Sequence, residues 1–268
     1  MKPRNELILR AFETTYESAI NEDLDSWIQI VKDALYRRSY IEAFDSQEKL
    51  QAYVVRWSPS RALAYAYILS LKESTRKLFA QRESQKSLNV LCIGGGAGAE
   101  IAALSVFQSS IRSITTVDIS NWADVVKPLA VNLGLLNVNM IHGDALEIVP
   151  KLDELKNMDL VTCLFTTNEL VAESKKGFIE LFSSFKNLKK GALVVIVESA
   201  GSYSEVQIGT KKFPVHFLVH YTLTRSKPQQ FDLVDSVDSE WYRLPQDYNY
   251  PCELQNMRYF LRIYKKIS

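Results

Sequence analysis

The sequence predicts an α/β chain: a mostly parallel sheet alternating with helices, behind an N-terminal helical region. Three observations point there. All ten glycines of the 268 residues fall from Gly94 onward, so the first 87 residues contain none. From Asn89, short β-branched runs alternate with helical stretches, the pattern of a parallel sheet with right-handed crossovers. One of those runs leads straight into Gly94-Gly95-Gly96-Ala97-Gly98 and then a helical segment.

The glycine-free stretch is rich in Ala, Leu, Glu, Lys and Arg, which favour helix. Leu7, Ala11, Phe12 and Ile20 form one apolar stripe, and Leu24, Trp27, Ile28, Val31 and Leu35 a second. Ser46 to about Val55 predicts a third helix. Ser58-Pro59 has the form of a helix start, cap then proline, for a helix running to about Phe79. Five strands follow: Val90–Ile93, Ile114–Asp118, Asn139 to the His142-Gly143-Asp144 turn, Leu160–Phe165 and Ala192–Glu198. Helices are expected at Ala99–Leu104, Trp122–Leu133 and Lys175–Leu188. Val215–Leu223 and Met257–Tyr264 are expected to be two long strands forming an antiparallel pair at a sheet edge. The domain division is 1–87, helical and packed on the core, and 88–268, the sheet domain.

An apolar fraction of 47% and a charged fraction of 24% are globular values, which argues against wholesale disorder. No 18-residue apolar run exists, so no membrane partner is expected. Cys92, Cys163 and Cys252 are widely spaced and make no metal-ligand set, so no metal is expected. The N-terminus lacks an apolar secretory segment, which predicts an intracellular protein, in the nucleus, nucleolus or cytoplasm. Lys and Arg (32) balance Asp and Glu (31), so bulk charge gives no drive toward non-specific nucleic-acid binding.

The chemistry concentrates at three strand ends. In strand, Gly94-x-Gly96-x-Gly98, helix, the glycines allow a sharp turn and close approach of backbone to ligand, and helix amides favour an anionic or hydrogen-bonding group. That loop alone fits a nicotinamide dinucleotide as well as S-adenosylmethionine. Asp118, at the end of the next strand, suits both ribose hydroxyls of an adenosine, again for either ligand. Asp144, in the His142-Gly143-Asp144-Ala145 turn, suits an adenine amino group. Gly-Asp-Ala in register with the other two elements favours S-adenosylmethionine. No Pro-Pro motif follows the fourth strand, as amino-directed nucleic-acid enzymes require. Cys163 lies inside a strand, poorly placed for a cytosine-C5 nucleophile.

From residue 89 onward the chain resembles the class I S-adenosylmethionine-dependent methyltransferases. That resemblance implies a Rossmann-like seven-stranded sheet whose last strands form an antiparallel hairpin. More narrowly, several segments together resemble the fungal 25S ribosomal RNA (uridine-N3) methyltransferases. These are Arg56 to Tyr65, Cys92 to Glu100, Phe165-Thr166-Thr167-Asn168-Glu169-Leu170, Gly201 to Glu205, Trp241-Tyr242-Arg243 and Asn256 to Phe260. The resemblance implies S-adenosylmethionine as cofactor, large-subunit rRNA or a pre-ribosomal particle as partner, and a role in ribosome biogenesis. Expected cofactor contacts are Gly94, Gly96, Gly98, Asp118, Ile119, Asp144, Ala145, Thr166 and Arg61. Glu169, after the fourth strand, is the expected proton acceptor. Arg56, Tyr203 and Trp241 are the expected substrate contacts. The competing readings are a small-molecule methyltransferase with a helical lid, and a scaffold that keeps the cofactor fold.

Overall fold

The computed structural model describes residues 2–37, 39–80, 87–200, 205–208, 211–225, 227–245 and 248–268. Five helices come first: α1 (Lys2–Thr15), α2 (Leu24–Tyr36), α3 (Tyr40–Ala43), α4 (Gln47–Leu71) and α5 (Glu73–Ala80). The alternating part runs β1 (Leu88–Ile93), α6 (Ala99–Leu104), β2 (Ile111–Asp118), α7 (Ala123–Asn132), β3 (Val138–His142), α8 (Ala145–Ile148), β4 (Leu160–Leu164), α9 (Thr167–Glu173), α10 (Lys175–Ser184) and β5 (Leu193–Ser199). The last part holds β6 (Glu205–Ile208), β7 (Lys211–Pro214), α11 (Val215–Thr224), β8 (Phe231–Tyr242) and β9 (Met257–Lys266).

Seven strands form one sheet in the order β3-β2-β1-β4-β5-β9-β8. β1 to β5 pair in parallel, while β9 runs antiparallel to both β5 and β8. The order reverses at β1 and β4, so the crevice between their carboxyl ends is where a doubly wound sheet binds ligands. β4 is buried throughout and β5 nearly so, which matches their continuous apolar runs. The two faces carry separate cores. On one, Phe12, Val31, Leu63, Ile101 and Val126 pack with Val90, Leu160, Val195 and Ile263. On the other, Leu146, Phe178, Phe182 and Leu218 pack with Leu91, Val161, Cys163 and Val194.

Two expectations fail. Ser58-Pro59 does not start a helix: α4 is one 25-residue helix with Pro59 inside it. Its cap is Ser46, whose hydroxyl accepts the Lys49 N–H. Proline normally breaks a helix because the carbonyl four residues back loses its donor. Here that carbonyl belongs to Val55, and the Tyr250 hydroxyl donates to it at 3.1 Å. A tertiary contact from beyond β8 thus repairs the helix, invisible to local sequence rules. The second failure is Val215–Leu223, which is helix α11 and not a strand. Val215, Leu218, Val219 and Leu223 are its buried residues, a helical spacing, so His216 and His220 sit one turn apart rather than on a strand face. The edge hairpin exists, but β8 partners β9. In the first stripe, Ala11 and Phe12 are buried as expected, Leu7 is 65% exposed, and Ile8, Leu9 and Tyr16 turn inward beside them.

Candidate functional site

Three glycines of the loop after β1 each face a different wall. At Gly94 (φ +72°) a Cβ would lie 2.1 Å from Thr166 Cγ2. At Gly95 it would lie 2.0 Å from Glu100 Oε2, and at Gly96 2.0 Å from Trp122 Cδ1. Any side chain there would fill the cradle, so the loop is held flush against its neighbours. Gly98 (φ +80°) then serves as the N-cap of α6.

Asp118, half-buried at the end of β2, organises the second wall. Its Oδ2 accepts the Gly96 N–H at 3.0 Å; its Oδ1 accepts the Ser120 N–H at 3.0 Å and the Trp122 indole N–H at 2.9 Å. Burial pushes its carboxyl up, and these three donors pull it back down. Each carboxylate oxygen accepts two hydrogen bonds, so Oδ1 is filled and Oδ2 keeps one direction free for a ligand hydroxyl. Ile119 beside it is 59% exposed, and its carbonyl meets His142 Nε2 at 3.0 Å. A small cavity opens here, lined by Gly96, Asp118, Trp122, Met140 and His142.

At the end of β3, Asp144 caps α8 by accepting the Leu146 N–H at 2.8 Å, and Ala145 is buried behind it. Among the described residues the second Asp144 oxygen accepts no hydrogen bond, which leaves it open to a ligand. The β4 end is the strained corner. Phe165 has φ +62°, the left-handed region that a bulky residue rarely enters. Its N–H is held by the Val197 carbonyl at 2.7 Å. Thr166 clamps the corner to the glycine loop by donating to the Ile93 carbonyl at 3.1 Å.

Above this corner stand Arg61 and Glu169. The Arg61 guanidinium donates to the Tyr53 hydroxyl at 2.5 Å and lies over the Phe165 ring at 5.3 Å. Glu169 keeps solvent contact at the mouth of the cleft, but the surrounding protein desolvates its carboxyl and pushes it up to about 7. Arg61 favours its charge, while Glu198 and Asp118 oppose it. Glu198, at the end of β5, accepts from Thr167 Oγ1 at 2.9 Å and from the Ser199 N–H at 3.0 Å. The cleft thus gathers one cation and three carboxyl groups around an aromatic wall.

The structure brings together Gly94, Gly96, Gly98, Asp118, Ile119, Asp144, Ala145, Thr166, Arg61 and Glu169 along the carboxyl ends of β1 to β4. It places two substrate candidates elsewhere. Arg56 is five residues from Arg61 on one helix, about 140° around its axis at 100° per residue. Its guanidinium donates to the Glu253 carbonyl at 2.8 Å and pairs with the Glu253 carboxylate at 3.4 Å. Trp241 stands on the edge strand β8. Tyr203 lies outside the described residues. Sequence reasoning passed over Glu100, Glu198 and Tyr53. An acid in the first turn after a glycine loop was the available signal for Glu100; Tyr53 gave none, because only the fold carries α4 to this corner. Glu100 is 3% exposed, with no well-aligned hydrogen-bond partner among the described residues; burial raises its carboxyl to about 8, against weak contacts with Thr162 and Cys92 that pull it back. Among the described residues no group of histidine, cysteine and acids could hold a metal ion, and no helix is long and apolar enough to cross a membrane.

A family model described as "Putative SAM-dependent methyltransferase" matches residues 11–135 and 128–265. A protein from Saccharomyces cerevisiae, the 25S rRNA (uridine(2843)-N(3))-methyltransferase, is 36% identical over 91% of this chain and 78% of its own length. Among solved structures, an O-methyltransferase family protein from Burkholderia thailandensis aligns with TM-score 0.53 at 11% identity, covering 83% of this chain and 61% of that one. An S-adenosylmethionine-dependent methyltransferase from Clostridium acetobutylicum aligns with TM-score 0.46 at 15% identity, over 77% of this chain and 99% of that one.

Proposed function

The chain belongs to the S-adenosylmethionine-dependent methyltransferases, and we propose that it methylates N3 of a uridine in large-subunit ribosomal RNA, in the course of ribosome assembly. The observation that carries this is the 36% identity, across nine-tenths of the chain, to a yeast enzyme named for that reaction. The site's chemistry supports it. The glycine cradle and the free acceptor directions at Asp118 and Asp144 fit an adenosine bearing a flexible tail. Gly94, Gly96 and Gly98 let the backbone approach; Asp118 and Asp144 hold ribose and adenine; Ile119, Ala145 and Thr166 line the walls. Arg61 suits the tail's carboxylate. When bound, S-adenosylmethionine supplies an electrophilic methyl group.

Uridine N3 carries a proton at neutral pH, so the protein must remove it. Glu169 is the proposed acceptor: a carboxyl near 7 is a much better base than an ordinary carboxylate, yet half-ionised at physiological pH. The N3–H proton passes to its oxygen, and the nitrogen lone pair is freed for the methyl. N3 lies on the Watson–Crick edge, so the target uridine must be unpaired and extruded. Residues 1–87 are proposed to be an inseparable part of this body and 88–268 the methyltransferase domain proper, because α4 lines the cleft. A nuclear, nucleolar or cytoplasmic location follows from the substrate.

The test is to delete the gene in its host and map base methylation on ribosomal RNA by mass spectrometry of nuclease digests. Loss of one 3-methyluridine from the large-subunit RNA is expected. An unchanged RNA with a missing methylated metabolite would instead support a small-molecule enzyme.

A further inference from the structure

The edge strand carries a surface that the cofactor cleft does not use. Trp241 of β8 faces Arg258 of β9 across the ladder, and the Arg243 guanidinium lies over the indole at 5.3 Å. The neighbours Tyr242, Met257 and Tyr259 are buried on the α4 face, so Trp241, Arg243 and Arg258 project from the other face, where all three are exposed. Trp241 is 49% exposed on an open edge strand, so its ring is available to stack on a ligand.

Local charge agrees. Of the four acids of β8, the two nearest the platform are ion-paired, Asp238 with Arg262 at 2.6 Å and Glu240 with Lys72 at 3.6 Å, while Asp235 and Asp232 farther along the strand accept hydrogen bonds from Ser74 and Gln229. Arg258 donates through Nε to Ser239 Oγ at 2.9 Å, and among the described residues its outer nitrogens keep no other partner. Among the described residues neither Arg243 nor Arg258 has a carboxylate within ion-pair distance. Two guanidiniums flanking one indole match a phosphate backbone with a base between its phosphates.

Position agrees too. Glu240 is level with Tyr259, which is level with Ser199 at the carboxyl end of β5. The cluster therefore sits at the same end of the sheet as the cofactor cleft. At about 4.8 Å between strands, β8 lies roughly 10 Å from β5 and 15 Å from β4. A short strand flanking an extruded base can bridge that gap.

We infer that Trp241, Arg243 and Arg258 form a contact platform for single-stranded RNA flanking the base to be methylated. The inference rests on the ribosomal RNA reading of the cleft and deepens it. The stacking is indifferent to base identity, and the arginines contact phosphates, so the platform positions the substrate without choosing it.

The experiment is fluorescence anisotropy of a fluorescein-labelled single-stranded oligouridine against the full chain over a range of low to moderate salt. Trp241→Ala should weaken binding about tenfold, and Trp241→Phe should restore most of it. Arg243→Ala/Arg258→Ala should weaken binding and flatten the salt slope by about 1.4, roughly 0.7 per lost phosphate contact on a single strand. Cofactor affinity and Tm should hold in every variant. Variants that bind like wild type, a wild-type chain with no affinity, or Trp241→Phe behaving like Trp241→Ala would each overturn the platform. Binding is read without methyl transfer, so the two readings fail separately. Variants with wild-type KM on ribosomal RNA would remove the platform and leave the function; platform-dependent binding by a chain that methylates no ribosomal RNA would do the reverse.

Discussion

The parallel half of the sheet, β1 to β5, and the stretch after β5 are built on different logic. In the parallel half the central strands β1, β4 and β5 are buried nearly throughout, so the run itself must be apolar. Val194, Val195, Ile196 and Val197 are all buried. β1 to β4 each end in a turn at the candidate site, marked by glycine, aspartate or a strained Phe165. After β5 that coupling is lost. β8 is an edge strand with Asp232, Asp235, Asp238 and Glu240 along it, bulged at two places, and only its ends are buried. Acid residues and bulges blunt an open edge against mispairing, and they also erase the period-two signal. The apolar stretch at 215–223, which reads as a strand, is instead the buried stripe of α11. Burial writes secondary structure into sequence, and an edge has little of it.

Substitutions can sharpen that contrast. The largest effect is expected at the cleft. Glu169→Gln should lower kcat by about 10²–10⁴ while cofactor affinity holds, the usual range for a general base. In wild type the rate should climb between about pH 6 and 8, because the carboxyl near 7 must be deprotonated to accept the N3 proton. A rate flat across that range would remove Glu169 from the role.

Asp118→Ala comes next. Loss of a charge-assisted hydrogen bond is worth about 1.5–3 kcal/mol, so cofactor affinity by calorimetry should fall roughly ten- to a hundredfold. An unchanged Kd in a folded variant would move the adenosine elsewhere.

Glu100 offers a pH test of the cradle's underside. Its folded pKa, about 8, lies above the unfolded value, so the folded state holds the extra proton between about pH 4.5 and 8. Stability should therefore decline as pH rises through that window, by at most about 5 kcal/mol at 1.36 kcal/mol per unit. Glu100→Gln should flatten the decline in chemical denaturation. A variant as pH-dependent as wild type would exclude Glu100 as its source.

The smallest effect belongs to the edge. Val195→Ala in β5 should cost roughly 2 kcal/mol of stability for the lost burial, whereas Val234→Ala on β8, 40% exposed in the native fold, should stay within about 0.5 kcal/mol. Equal costs would mean that the edge strand is covered in solution.

The site was readable where chemistry demands special backbone and special acids together, as at Gly94 to Gly98, Asp118 and Asp144. It was unreadable where a long-range contact sets the geometry. Tyr250 supports α4 through Val55 from 195 residues away, and only the intact helix carries Tyr53 and Arg61 to the Phe165 corner. The continuous helix also turns Arg56, expected at the substrate, to a different side from Arg61. Ser58, taken for a cap, instead donates to the Ala97 carbonyl at 2.7 Å and ties α4 to the glycine loop.

The most direct measurement is methyl transfer in vitro. Purified chain and labelled S-adenosylmethionine are incubated with ribosomal RNA from the deletion strain, free and within large-subunit precursors, and the labelled nucleoside is identified by chromatography. The expected product is 3-methyluridine at one large-subunit position, formed by wild type and strongly reduced in Glu169→Gln. Label in a small metabolite or a protein, with both forms of the RNA unmodified, would contradict it.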